Sequence, residues 1–277
     1  MSFGWQRFRS NRAAVVFSAI VVLVALATIV VPPVAGAFGL DSTTVSVKTG
    51  ACPPTFRHPM GTDVLGRDVL VRTMEGGRVA LRVGMLAAAI AVLVGVGWGG
   101  LAGFVGGRVD AVLMRTVDIL ASLPQTIFVI VVMAVTSSRS ELLLDFLIGA
   151  VSWMTMARVV RGQVLVLRRS DHVIAARSVG ASGARLLFRH ILPNASGIIV
   201  VYATLLVPSV MMQEAFLSFL GLGIPAPGAS WGTLVLEGVV QLVSHPWLLA
   251  GPGTVMAVTL LALNFVGDGL RDAFDPR

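Results

Sequence analysis

"VALRVGMLAAAIAVLVGVGWGGLAGFV", residues 79–105, runs for 27 residues with a single charge, Arg82. Strands of globular sheets are usually 3–10 residues long. A helix, by contrast, needs about 20 consecutive apolar residues to cross the roughly 30 Å hydrocarbon core of a bilayer. The stretch therefore predicts a membrane helix. Working outward, the same test picks out Ala13–Ala35, Val117–Val135, Leu142–Val160, Ala195–Leu222 and Leu248–Val266. Hydrophobic residues make up 56% of the 277 and charged residues 13%, about half the charged share of ordinary soluble domains. The expected fold class is an all-α integral membrane protein of about six transmembrane helices. The edges of apolar runs are soft enough to leave five or seven open.

The net charge of +7 is explained by its distribution. With the N-terminus inside, the inner segments hold Arg7, Arg9, Arg12, Arg108 and Arg115, seven arginines from Arg158 to Arg189, then Arg271 and Arg277. The outer segments hold half as many: Lys48, Arg57, Arg67, Arg72, Arg78, Arg82 and Arg139. The positive-inside rule then places both termini in the cytoplasm. This basicity is topological, and a basic groove for nucleic acid has no soluble face to sit on. The first run exceeds the usual apolar core of a signal peptide, so it is expected to stay as an anchor. The expected organisation is an inner N-terminus 1–12, a first span 13–35, an extracytoplasmic loop 36–78, a five-helix core 79–268 and an inner C-terminus 269–277. Cys52, the only cysteine, falls in the outer loop.

In the outer loop, "HPMGTDVLGRDVL" (58–70) predicts a turn entering a helix capped by Asp63 or Asp68. His58, Asp63 and Asp68 are too loosely spaced to argue for a metal site. In "GGRVDAVLMRTVDILASLPQ" (106–125), Arg115 and Asp118 can pair on one helix face, and Pro124 fits a first turn or a kink. The inner segment 161–194 is the most informative. Ser170 or Asp171 can cap a helix whose apolar face includes Val173, Ile174 and Ala176, and Gly180 stands where a left-handed residue would end it. A second helical stretch, Ala181–Ile191, sets Leu186, Leu187 and Ile191 on one face and Arg185 and Arg189 elsewhere. Pro193 is expected to break it, with Asn194 opening the fifth span. Two helical turns are not stable alone in water, so the first helix must lie on a membrane, on its own bundle or in a partner's groove.

Catalytic and nucleotide-binding signatures are missing. Lys48-Thr49 is preceded by Ser42 and Val47 where a phosphate loop needs glycines. Gly-x-Ser-x-Gly occurs as Gly228-Ala229-Ser230-Trp231-Gly232, but no strand run precedes it to make a nucleophile elbow, and His-Glu-x-x-His does not occur. The chain is expected to be no enzyme, and any ATPase to be a separate chain. Within the spans, Gln213 and Glu214 are candidates for a pathway or gate, because intramembrane polar groups usually face a cavity or a partner.

The inner segment resembles the cytoplasmic loop of bacterial ABC-importer permeases. Ala175, Ala176, Gly180, Leu192 and Pro193 keep that loop's spacing, while Ile174 stands where the family has glutamate. With "MRTVDILASLP", "GASGARLLFRHILPN", "EAFLSFLGLGIPAPGASWG" and "NFVGDGLRDAFDPR", and with the 58–70 block, roughly the last four-fifths of the chain is similar to the C-type permease of dipeptide, oligopeptide and nickel importers. The resemblance implies a type I importer permease fold in the bacterial inner membrane. It implies that the loop, with Asp171, is a coupling helix docking into an ATPase cleft. It also implies four kinds of partner: membrane lipid, a sister permease, two ATPase domains carrying ATP and Mg, and an extracytoplasmic binding protein. Peptides are the implied cargo, with nickel or another small solute as the alternative. A self-sufficient secondary transporter would show paired broken helices, and no internal repeat is seen. A membrane enzyme would need a titratable cluster, and none is found.

Overall fold

The computed structural model of the chain describes residues 2–40, 42, 45, 50–136 and 140–274. Lys48, Arg139 and Arg277, counted in the charge distribution, lie outside these residues, as do the last three positions of the expected C-terminal segment. The helices are α1 (Ser2–Ser10), α2 (Arg12–Ala37), α3 (Val69–Val105), α4 (Gly107–Ala121), α5 (Gln125–Thr136), α6 (Glu141–Leu167), α7 (Asp171–Ser178), α8 (Gly183–Leu222), α9 (Trp231–Val240) and α10 (Trp247–Phe274). Among the described residues β structure is limited to an isolated bridge between Thr62 and Asp68. Five helices are long and apolar enough to cross a membrane: α2, α3, α6, α8 and α10.

The expected third span is corrected. It is not one helix over Val117–Val135 but the pair α4 and α5, bent by 71° at the break between them. Pro124 lies at the break. It has no amide hydrogen and cannot continue the ladder of α4, while its carbonyl accepts from Phe128 (3.0 Å) to start α5. The Arg115–Asp118 pair is also corrected: Asp118 is held by Arg158 of α6 at 3.0 Å.

The fold is organised around α3 and α6. A Cβ added at Gly95 would meet the Met156 side chain at 2.7 Å, and one at Gly103 would meet the Arg161 carbonyl oxygen at 2.8 Å. Between them, a Cβ at Gly99 would meet the backbone of Ala157. Four-residue spacing puts all three glycines on one face of α3. Small residues so placed let two membrane helices approach to backbone contact, where dispersion and packing hold them together. The main core cluster, with Val83, Ala87, Leu147, Ile148, Val151 and Ala157, fills this seam and reaches Val210 and Leu217 of α8.

At 37 residues α3 is about 55 Å long, far more than a bilayer core requires. It starts at Val69 rather than Val79, capped by Asp68, which accepts from the Val71 amide at 2.9 Å. Its first turns join a cap on the side expected to be outer. Arg72, 2% exposed, bonds Asp63 at 2.8 Å and both oxygens of Glu237 on α9 at 2.6 and 2.9 Å. Asp63 also binds Arg67 (2.7 Å), and His58 lies 2.8 Å from Asp68. Trp231 donates to the Thr73 carbonyl and Trp247 to that of Thr62. The three outer residues weighed as metal ligands are thus used in ion pairs and a cap. No group of three His, Cys, Asp or Glu side chains able to hold a metal ion is found among the described residues.

Candidate functional site

The segment 161–194, expected on the inner side, is built on the end of α6. Arg168 reaches across to the last turn of α3 and donates to the Phe104 carbonyl at 2.8 Å. Arg161 grips Asp110 of α4 through two bonds, the Nη2–Oδ2 one at 2.7 Å. The chain then turns, and α7 starts at Asp171 with Ser170 as N-cap residue. Asp171 lies in the first turn and Arg177 in the last, each charge complementing the helix dipole. Val173 is fully buried in a cluster with Val160, Val164, Leu186, Leu187 and Ile191, and Ala176 packs against it. The inner ends of α6 and α8 therefore cover one side of this two-turn helix and supply the stability it lacks alone.

The C-terminus of α7 closes as a Schellman motif: the Gly180 amide bonds the Arg177 carbonyl (3.0 Å) and the Ala181 amide the Ala176 carbonyl (3.1 Å). Gly180 has φ +89°, and a Cβ there would meet nothing within 4 Å. The requirement for glycine is thus one of backbone angle and not of space. Ser182 then caps α8, accepting from the Arg185 amide.

Ile174 is corrected. Expected on the apolar face with Val173 and Ala176, it is 51% exposed. Val173 and Ala176 are three residues apart and share a face, whereas Ile174 is rotated about 100° from Val173. The outward side of the loop accordingly presents Ile174, Ala175, Val179 (90% exposed) and, from α8, Phe188.

Pro193 is corrected as well. It does not break the second helix, since α8 continues from Gly183 to Leu222. The turns at Leu186–Ile191 are widened to the π form, with the Leu192 amide bonding the Leu187 carbonyl five residues back. A widened turn gives room for the proline ring that a regular helix lacks. Leu192 is half-buried, and Pro193 and Asn194 are exposed. The Asn194 amide nitrogen bonds the His190 carbonyl (2.6 Å) and lies 3.3 Å from His172, tying α7 to α8. Sequence spacing gave no sign of this link, nor of the Arg161–Asp110 and Arg158–Asp118 pairs.

Gln213 and Glu214 separate in space. Glu214 is fully buried, with one carboxyl oxygen accepting from Ser218 at 2.6 Å. It lines no open surface in this conformation. Gln213 is half-buried, and its amide nitrogen has no hydrogen-bond partner.

Residues 95–277 match the family described as binding-protein-dependent transport system inner membrane component. The chain belongs to that family. Residues 2–44 match the N-terminal TM domain of oligopeptide transport permease C. The chain is 47% identical, over 99% of its length and 91% of the relative's, to the oligopeptide transport system permease protein OppC of Escherichia coli (strain K12). It is 44% identical to the protein of that name in Bacillus subtilis (strain 168), over 98% of this chain and 88% of the other. The dipeptide transport system permease protein DppC of Bacillus subtilis (strain 168) is 40% identical over 99% of this chain and 84% of its own. As a member, the chain is a multi-pass permease subunit of a binding-protein-dependent transport system.

Proposed function

We propose that this chain forms, with a sister permease, the pathway of an ATP-driven importer of oligopeptides in a bacterial inner membrane. Near-full-length identity of 44–47% to relatives named for oligopeptide transport supports the cargo. The observation that carries the mechanism is the outward face of α7. Ile174, Ala175 and Val179 are exposed beside a rigid Schellman turn, while Val173 anchors the same helix to the bundle. An element so anchored transmits a push without bending. In this reading an ATPase domain docks on that face, and closure of the two ATPase domains, which carry ATP and Mg, moves α7. The motion passes along α6 to α3 through their glycine seam. An extracytoplasmic binding protein delivers the peptide to the outer cap, and both termini lie in the cytoplasm, a reading the arginine bias supports.

Reconstitution tests this. The chain, its sister permease, the ATPases and the binding protein are placed in liposomes with labelled peptides of two to five residues. Saturable uptake that requires ATP is expected. Uptake by the permeases alone, driven by a proton or sodium gradient, would refute the ATP-driven reading. Accumulation of nickel with exclusion of peptide would refute the cargo.

A further inference from the structure

A groove of about 190 Å3 opens between α6 and α8, lined by Thr155, Met156, Tyr202, Leu205, Leu206 and Ser209. It lies at mid-depth. Thr155 follows Glu141, the first residue of α6, by about 20 Å of helix rise, and Tyr202 follows Leu192 by about 15 Å. Hydroxyls in the long apolar helices mostly fold back on their own backbone: Ser152 of α6 bonds the Ile148 carbonyl (2.7 Å), Thr204 of α8 that of Val200 (2.9 Å) and Thr259 of α10 that of Val255 (2.7 Å). Thr155 and Tyr202 do not. Among the described residues neither hydroxyl has a hydrogen-bond partner, and Ser209 makes only a long bond of 3.3 Å to the Leu205 carbonyl. Polar groups left unmet in hydrocarbon are costly, so they face protein or a water-filled cavity.

The polar groups form a line. Tyr202, Leu206, Ser209 and Gln213 follow one another at i, i+4, i+7 and i+11, which is one face of α8. Gln213 ends the line with a buried amide nitrogen lacking a partner. Glu214, the next residue, is rotated into the core and bonded to Ser218, so it does not belong to this face.

We infer that this face is the chain's wall of the translocation pathway, where Thr155, Tyr202, Ser209 and Gln213 hydrogen-bond the main chain of a peptide in transit. The inference rests on the importer reading above. The chemistry favours a peptide backbone over other cargo. A hydroxyl or carboxamide both donates and accepts, as a peptide unit does whatever its side chain. Met156 and the two leucines offer an apolar, adaptable floor to side chains of varied size. None of the lining residues is a carboxylate, imidazole or thiolate, the usual ligands of a transition-metal cargo.

The test uses the assembled importer in nanodiscs, with Cys52→Ser removing the chain's only cysteine. Ser209→Cys and Thr155→Cys are introduced singly, with Leu23→Cys, at a residue of α2 that is 67% exposed, as a lipid-facing control. A charged, water-soluble thiol reagent is read on this chain by mass shift. Labelling of Ser209→Cys and Thr155→Cys at least about tenfold faster than Leu23→Cys is expected in one nucleotide state. Tyr202→Phe should slow peptide uptake about threefold to tenfold, the worth of one hydrogen bond, with nucleotide hydrolysis retained. Labelling as slow as that of Leu23→Cys would make the face lipid-exposed and overturn the inference. Labelling in the free chain that is lost on assembly, with crosslinking to the sister permease, would make it a subunit interface and overturn it too. Fast labelling with unchanged uptake by Tyr202→Phe would overturn the peptide contact. Peptide uptake by the Cys52→Ser parent in the same discs separates each of these failures from failure of the importer reading.

Discussion

Replacing Gly99 by alanine tests the seam through which motion of the inner loop would reach the membrane core. A Cβ at this position lies 2.9 Å from the Ala157 carbonyl carbon and 3.0 Å from its Cα, with the carbonyl oxygen closer still. These are backbone atoms of a helix and cannot rotate aside as a flexible side chain would. The helices α3 and α6 must therefore separate by several tenths of an ångström or more along a tightly packed interface. Overpacking of this kind costs about 1–3 kcal/mol, and backbone contact points to the upper end. Against it stands the gain of up to about 1 kcal/mol for alanine over glycine inside a helix. The net cost is about 2 kcal/mol, or roughly a 30-fold shift in the folding equilibrium. Gly97→Ala is the control, because a Cβ there meets nothing within 4 Å; it should be neutral or slightly stabilising. The assay is thermal unfolding of the purified complex in detergent. Gly99→Ala should melt about 4–8 °C lower than the parent, by the proportion known for domains of 150–250 residues. Equal melting temperatures for the two variants would refute the close approach of α3 and α6.

Arg72→Met should weaken the outer cap by about 1–3 kcal/mol, because Asp63 and Glu237 lose their shared partner while Asp63 keeps Arg67 and Glu237 is partly open to solvent; limited proteolysis of the 50–68 segment in the assembled complex reads the loss, and unchanged resistance would count against a cap held by that pair. Gly180→Ala should cost about 1 kcal/mol from the left-handed backbone alone and Gly180→Val more; if both hydrolyse ATP and transport as the parent does, the turn does not position α7. Ile174→Glu should leave the melting temperature of the isolated chain unchanged, because the side chain is half exposed, yet reduce co-purification of the ATPases; full assembly of this variant would show that Ile174 is no buried contact with them. Cys52, half-buried in the outer cap, should react from the outside with a membrane-impermeant thiol reagent, and labelling only after the membrane is broken would reverse the proposed topology.

What the sequence disclosed and what it withheld divide along a physical line. Long apolar runs are legible because lipid demands them of every crossing helix, so the bodies of α2, α3, α6, α8 and α10 were visible. The left-handed turn at Gly180 was visible for a similar reason: a helix end and a glycine are both local. The missed features depend on neighbours that are distant in sequence. Asp118 was given the nearest arginine, Arg115, but bonds Arg158, because α6 passes beside α4 in space. Helix α9 was missed: its ten residues are too few to register as a span, and it is fixed by Trp231 and Glu237 reaching back to α3. Pro193 looked like a stop, since the widened turn that admits it leaves no mark in composition. Gln213 and Glu214 make the same point within one helix. Adjacent in sequence, they seemed a single polar site. A helix turns about 100° per residue, so neighbours diverge while residues three, four, seven or eleven apart converge. The partners of Gln213 along the helix are therefore Ser209 and Tyr202, and Glu214 belongs to the core with Ser218. The wall proposed on α8 is defined by that periodic line of polar groups, and the carboxylate next to it in sequence lies in the core, bonded to Ser218.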